Sequence, residues 1–136
     1  MPLPHVLERV RKCPGMYLRC VQFDVAVAFV DGFDLATNGG LLVGFREWLI
    51  VRLNAGDNLA WSELILTIDQ SERAGDPSTA TEEARVAFLF STLDEFLTER
   101  ERPTGMRSIF VRYEDWLRAQ DWYDPGSPDW VPRSKD

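Results

Sequence analysis

The sequence predicts an all-α fold, a compact bundle of about five or six helices followed by an extended C-terminal tail. Three observations predict it. Apolar residues recur at three- and four-residue spacing through six successive segments, the pattern that lays a stripe along one face of a helix. Short runs rich in Gly, Pro, Asn and Asp separate most of these segments, and such runs stop helices and turn the chain. No internal repeat or low-complexity tract breaks the order, so helices joined by short turns specify a bundle over an α/β fold. A chain of 136 residues has the length of one domain with one core. Residues 1–120 are assigned to the helical domain and 121–136 to the tail.

From Leu3 to Lys12, Val6, Leu7 and Val10 share a face, and Cys13-Pro14-Gly15 stops the helix because proline lacks an amide donor. From about Gln22 to Thr37, Phe23, Ala26, Val27, Val30 and Phe33 form the stripe of a helix expected to be mostly buried, with Asn38-Gly39-Gly40 as its C-terminal cap. Leu41 to Leu53 is apolar nearly all round, interrupted by Arg46, Glu47 and Arg52, as befits a central helix covered on several sides. Ala55-Gly56-Asp57-Asn58 ends it, and Asp57 or Asn58 stands where a cap for the next helix is needed. Leu59 to Ile68 reads as a helix, with a short buried strand over Glu63 to Ile68 as the alternative.

Asp69 to Thr81 has no apolar periodicity and reads as a surface loop. Thr79 or Thr81 then opens a long helix with Glu82 and Glu83 in its first turn, where the helix dipole favours negative charge. Val86, Leu89, Phe90, Leu93, Phe96 and Leu97 form its inward stripe, and Pro103 ends it. A last helix from about Gly105 to Ala119 turns Ile109, Phe110, Tyr113, Trp116 and Leu117 inward. The remainder, Asp121 to Asp136, contains three prolines and little periodicity, hence an extended tail.

The composition, 45% hydrophobic and 27% charged, is that of a globular protein and excludes the disordered and fibrous classes. No apolar run approaches the roughly 18 residues of a membrane span, and Met1 to His5 lacks the features of a signal peptide; a cytoplasmic location is expected. Cys13 and Cys20, with no metal-binding spacing, read as reduced thiols. The cations are thirteen Arg and two Lys, a bias of the kind that GC-rich bacterial genomes produce. Net charge is −7. It is concentrated after residue 53, where nine basic and seventeen acidic side chains stand. Such a surface repels nucleic acid and anionic membrane and attracts a basic protein partner.

Candidate chemistry is sparse. His5 is the one histidine, so no nucleophile–base triad can be assembled. The paired carboxylates Glu82/Glu83, Asp94/Glu95 and Glu114/Asp115 occupy neighbouring helix positions that diverge by about 100° and cannot share one substrate bond. Neither EF-hand spacing nor a His-x-x-x-His pair is present, so the expectation is no enzyme, no metal and no cofactor. Binding residues are easier to nominate. Between Asp57 and Glu101 there are eleven acidic and three basic residues. Glu82, Glu83, Asp94, Glu95 and Glu99 fall on the polar side of the long helix, with Asp69, Glu72 and Asp76 in the loop before it. Trp122, Tyr123, Asp124 and Trp130 give the tail the mixture of aromatic anchors and charge that binding hot spots favour.

Two resemblances add to this reading. Leu7-Glu8-Arg9-Val10-Arg11-Lys12-Cys13-Pro14-Gly15-Met16-Tyr17-Leu18 resembles the segment that opens the ATPase domain of DNA gyrase B-type topoisomerases. Phe29-Val30-Asp31-Gly32-Phe33-Asp34-Leu35-Ala36 is similar to that family's helix with an Asp-Asn pair, which implies a degenerate ATP-binding module. Gly32 replaces the metal-binding Asn, and no Asp-x-Gly-x-Gly motif follows. Pro14-Gly15-Met16-Tyr17 is therefore read as a tight turn whose Met and Tyr pin the first helix onto the second. The wider pattern, with Gly-Phe-Arg-Glu-Trp-Leu at Gly44 to Leu49 and Tyr113-Glu114-Asp115-Trp116-Leu117 in the last helix, resembles small bacterial toxin-immunity proteins. That resemblance implies an inhibitor that neutralises a cognate toxin, such as a nuclease, by binding it through an acidic surface.

Overall fold

A computed structural model describes residues 3–73 and 80–123. Among them are seven helices and no strand: α1 (His5–Lys12), α2 (Pro14–Tyr17), α3 (Phe23–Ala36), α4 (Phe45–Leu53), α5 (Trp61–Glu72), α6 (Glu82–Arg100) and α7 (Gly105–Arg118). The all-α bundle read from the periodicity is the fold observed. The helix read over Leu59 to Ile68 begins at Trp61, and Glu63 to Ile68 lie within it and not in the alternative strand.

The long helix α6 is the axis. Thr81 opens it, its Oγ1 accepting the Ala84 amide at 3.1 Å, one of the amides a helix start leaves without an intrahelical acceptor. Val86, Leu89, Phe90, Leu93, Phe96 and Leu97 are all buried, as is Thr92, and α6 touches α1, α3, α4, α5 and α7. Part of the core is a cluster of aromatic rings. Phe45, fully buried, lies with its ring centroid 4.9 Å from Phe96, 5.7 Å from Trp61 and 6.3 Å from Trp48. The tilted geometry of two of these pairs is the arrangement ring quadrupoles favour.

Contacts between helix ends fix the directions. Glu82 accepts the Phe23 amide at 2.8 Å, and Arg100 donates to the carbonyls of Gly40, Leu41 and Val43 after α3, so α3 and α6 run alongside in one direction. Trp48 donates to Glu99 and Arg52 to Glu95, a pairing in which sequence rises along α4 as it falls along α6. Arg52 also meets Glu72 near the end of α5, and Trp116 donates to Asn54 at the end of α4. Helices α4, α5 and α7 therefore run opposite to α3 and α6.

Two turns follow the sequence closely. Beyond α3, Gly39 donates to the Asp34 carbonyl at 2.8 Å and Asn38 to that of Leu35 at 3.1 Å, the two reversed bonds of a Schellman cap. Asn38 and Gly39 carry the positive φ values, 57° and 78°, that this cap uses. Before α4, Gly44 takes φ 89°, a conformation that favours glycine, and faces Phe110, Met106 and Ile109 of α7, which a Cβ there would meet at 3.5–3.7 Å, in ordinary contact.

Elsewhere the structure departs from expectation. Pro14-Gly15-Met16-Tyr17 is one helical turn, with proline at its N-terminus, where its missing amide costs nothing. Met16 is 78% exposed and pins nothing; Tyr17 packs against the core under the Arg9 guanidinium, 5.8 Å from the ring centroid. Only Phe23, Ala26 and Val30 of α3 are buried, and Leu35 is exposed, so α3 is a flanking helix, not a mostly buried one. Residues 41–44 form a turn, and α4 begins at Phe45. Neither Asp57 nor Asn58 caps α5, whose N-cap is Ala60; the Asp57 and Leu59 carbonyls accept from Arg46 instead. Helix α7 buries Ile109 while Phe110, Tyr113, Trp116 and Leu117 remain half-exposed. Finally, α5 continues through Glu72, so Asp69 and Glu72 lie on a helix and not in a loop.

Candidate functional site

The carboxylates nominated as an acidic surface are largely engaged by arginines from elsewhere in the chain. Asp69, 5% exposed, pairs with Arg73 at 3.0 Å. Arg52 joins Glu72 at 2.7 Å to Glu95 at 3.2 Å while its guanidinium lies over the Trp48 ring. Glu99 accepts from Trp48 Nε1 at 2.7 Å and from Arg112, and these side chains line a small cleft of about 220 Å³ with Val51, Arg52 and Ile109. Asp94 stands 3.7 Å from Arg11, which is 3.8 Å from Glu8. Glu8 Oε2 and Asp94 Oδ1 are buried atoms without a hydrogen bond, so Arg11 compensates them through charge alone. Of the nominated acids in the described residues, Glu83 is the exposed one without an ion pair. Asp76, Asp124 and Trp130 lie outside the described residues.

Glu82 has a structural task. Its Oε2 accepts the Phe23 amide, the first of α3, while its Oε1 accepts from Arg85 at 3.2 Å. A carboxylate from α6 thus caps α3, whose own N-cap Gln22 makes no side-chain bond. Glu82→Ala is expected to lower stability by about 1–2 kcal/mol, because the α3 terminus loses a charged acceptor. Glu83→Ala, one position on, is expected to change stability by no more than about 0.5 kcal/mol. Urea midpoints of the two variants check the contrast.

Two surface features remain as candidate sites. The first is a cleft of about 840 Å³ where α3 and α6 begin and α5 ends, lined by Gln22, Phe23, Asp24, Leu66, Asp69, Gln70, Arg73, Ala80, Glu82 and Arg85. It unites nominated Asp69 and Glu82 with Asp24, Arg73 and Arg85, which the sequence reading did not select. The second is an aromatic shelf at the end of α7. Tyr113 and Trp116 stack with centroids 6.3 Å apart and planes within 11°, and Trp122 meets Trp116 edge-on at 6.2 Å. Trp116 Nε1 donates to Asn54 Oδ1 at 2.7 Å, fixing the ring. Trp122 is 57% exposed, and Tyr123 follows it half-buried. The Trp122–Tyr123 part of the predicted tail site thus belongs to the α7 surface.

Beside the shelf, Arg118 donates to Glu114 at 2.9 Å; that hydrogen bond and the carboxylate's charge raise the Arg118 pKa above its ordinary value. At the C-terminal end of α6, burial lowers the Arg100 pKa, and the charges of Glu101 and Asp34 oppose that shift. The Asp31 carboxylate accepts from Trp61 Nε1 at 3.0 Å, and a Cβ on Gly32 would meet nothing within 4 Å. Among the described residues no group of three or more His, Cys, Asp or Glu side chains is placed to hold a metal ion. No helix among them is long and apolar enough to cross a membrane. Cys13 and Cys20 are both exposed free thiols.

No protein-family model, curated protein or solved structure matches the chain.

Proposed function

We propose that the chain works by binding a protein partner through the aromatic shelf of α7, and that it is an immunity-type protein that neutralises a toxin bearing a basic surface. The observation that carries the reading is Trp122, 57% exposed and held edge-on against a Trp116 ring that is itself hydrogen-bonded in place. Exposed indoles ordered in advance lose little conformational entropy on binding and supply the large contact area of hot spots. The net charge of −7 supports the basic partner, because opposite charge accelerates encounter. Internal pairing of most nominated carboxylates moves the emphasis from the acidic face of α6 to the shelf. On this reading the chain acts by occupying its partner's surface, with no reaction of its own and no cofactor.

The test uses the tagged full chain to capture its partner from the native lysate, followed by affinity measurement on the purified pair. Trp122→Ala is expected to weaken the complex by about thirtyfold, the value of a 2 kcal/mol hot spot, while the melting temperature of the free chain is unchanged. Co-expression should relieve growth inhibition by the partner, and Trp122→Ala should abolish that relief. A partner bound equally tightly by the variant would overturn the shelf reading.

A further inference from the structure

We propose that the cleft between α3, α5 and α6 receives one basic side chain, a lysine or arginine, from a segment of the protein partner. This rests on the reading of the chain as a binder of a basic protein and assigns that partner a second point of contact. The argument is a charge balance. Among the described residues, three carboxylates, Asp24, Asp69 and Glu82, and two guanidiniums, Arg73 and Arg85, line the cleft. Asp69 is matched by Arg73 at 3.0 Å and Glu82 by Arg85 at 3.2 Å. Asp24 is left exposed on the rim, without an ion pair among the described residues. Among the described lining residues Asp24 is thus the carboxylate that a positive charge would meet.

The rest of the lining suits the shape of such a side chain. Leu66, half-buried, supplies apolar surface on which a methylene stem can lie, and the amide oxygens of Gln22 and Gln70 can accept from its charged head. A bond from that head to the Asp24 carboxylate is charge-assisted, the stronger kind. The volume of about 840 Å³ also admits the residues flanking the inserted side chain. An anionic ligand would meet the unmatched Asp24 carboxylate, and a purely apolar one would cover Asp24 without compensating it.

The probe is a capped Gly-Gly-Arg-Gly-Gly peptide titrated into the full chain and followed by the backbone amide resonances. Saturable shifts are expected at Gln22, Asp24 and Gln70. The peptide with citrulline, which keeps the shape and removes the charge, should bind about tenfold more weakly, as should the arginine peptide to Asp24→Asn, each loss corresponding to about 1.4 kcal/mol. Glu63→Gln, exposed at the start of α5 and outside the lining, should bind the arginine peptide unchanged. Absence of shifts at the cleft, equal binding of the citrulline peptide, or insensitivity to Asp24→Asn would overturn the proposal. With the whole partner, a complex weakened by Trp122→Ala but not by Asp24→Asn removes the cleft and leaves the shelf standing. A complex weakened by Asp24→Asn alone removes the shelf and supports the cleft.

Discussion

Replacing Phe45 with alanine is expected to cost about 3–5 kcal/mol, the range for emptying a buried aromatic site. Phe45 has no exposed surface, and its ring meets Phe96, Trp61 and Trp48, so the side chains of α4, α5 and α6 all close on it. Removing it deletes three ring contacts at once. The cavity cannot collapse easily, because Trp61 and Trp48 are each tied by an indole N–H to a carboxylate, Asp31 at 3.0 Å and Glu99 at 2.7 Å. A domain of this size is stable by only about 5–15 kcal/mol, so the variant should unfold at a much lower urea concentration. Val111→Ala, at a position 45% exposed, is expected to move stability by about 0.5 kcal/mol or less. A Phe45→Ala loss under about 1 kcal/mol would contradict the burial from which the core is argued.

The same packing explains what the sequence discloses and what it hides. Val86, Phe90, Leu93 and Leu97 were legible because spacing on one helix is local information and burial follows from it. The extension of α5 past Ile68 was not, because Asp69-Gln70-Ser71-Glu72 has no apolar stripe. Arg73 four residues after Asp69 was a signal available there, an i,i+4 pair that supports helix. The pairing of the acidic side chains was hidden for a different reason. A run of carboxylates can be counted in the sequence, but their partners arrive from afar: Arg52 from 43 positions away for Glu95, and Trp48 from 51 away for Glu99. Arg46 and Arg52 read as polar interruptions of a buried helix, yet both are hydrogen-bonding hubs. The cleft joins Gln22 and Asp24 to Gln70, Arg73 and Arg85, and no local pattern brings three such segments together. On the shelf, Trp122 carried a signal as a residue type, whereas Trp116 was read as facing inward and Asn54, which orients it, carried none.

Replacing Gly105 with alanine is expected to destabilise the fold by about 3 kcal/mol, the upper part of the range for forced overpacking, although alanine is the better helix former. A Cβ at this position would stand 2.2 Å from the Glu99 carbonyl oxygen and 2.6 Å from that of Arg100. These are backbone atoms at the end of α6, so no rotamer change can make room. Arg100 is also bound to three carbonyls of residues 40–43, which keeps α6 from yielding. The strain must instead move α7, and with it Trp116 and Trp122, so the variant should show altered tryptophan fluorescence and weakened partner binding as well as a lower urea midpoint. Gly32 provides the opposite case within α3, where a Cβ would meet nothing within 4 Å. Gly32→Ala is expected to raise stability by about 0.5–1 kcal/mol, the helix-propensity gain. Equal effects of the two substitutions would mean that backbone crowding at the α6–α7 junction does not hold α7 in its place.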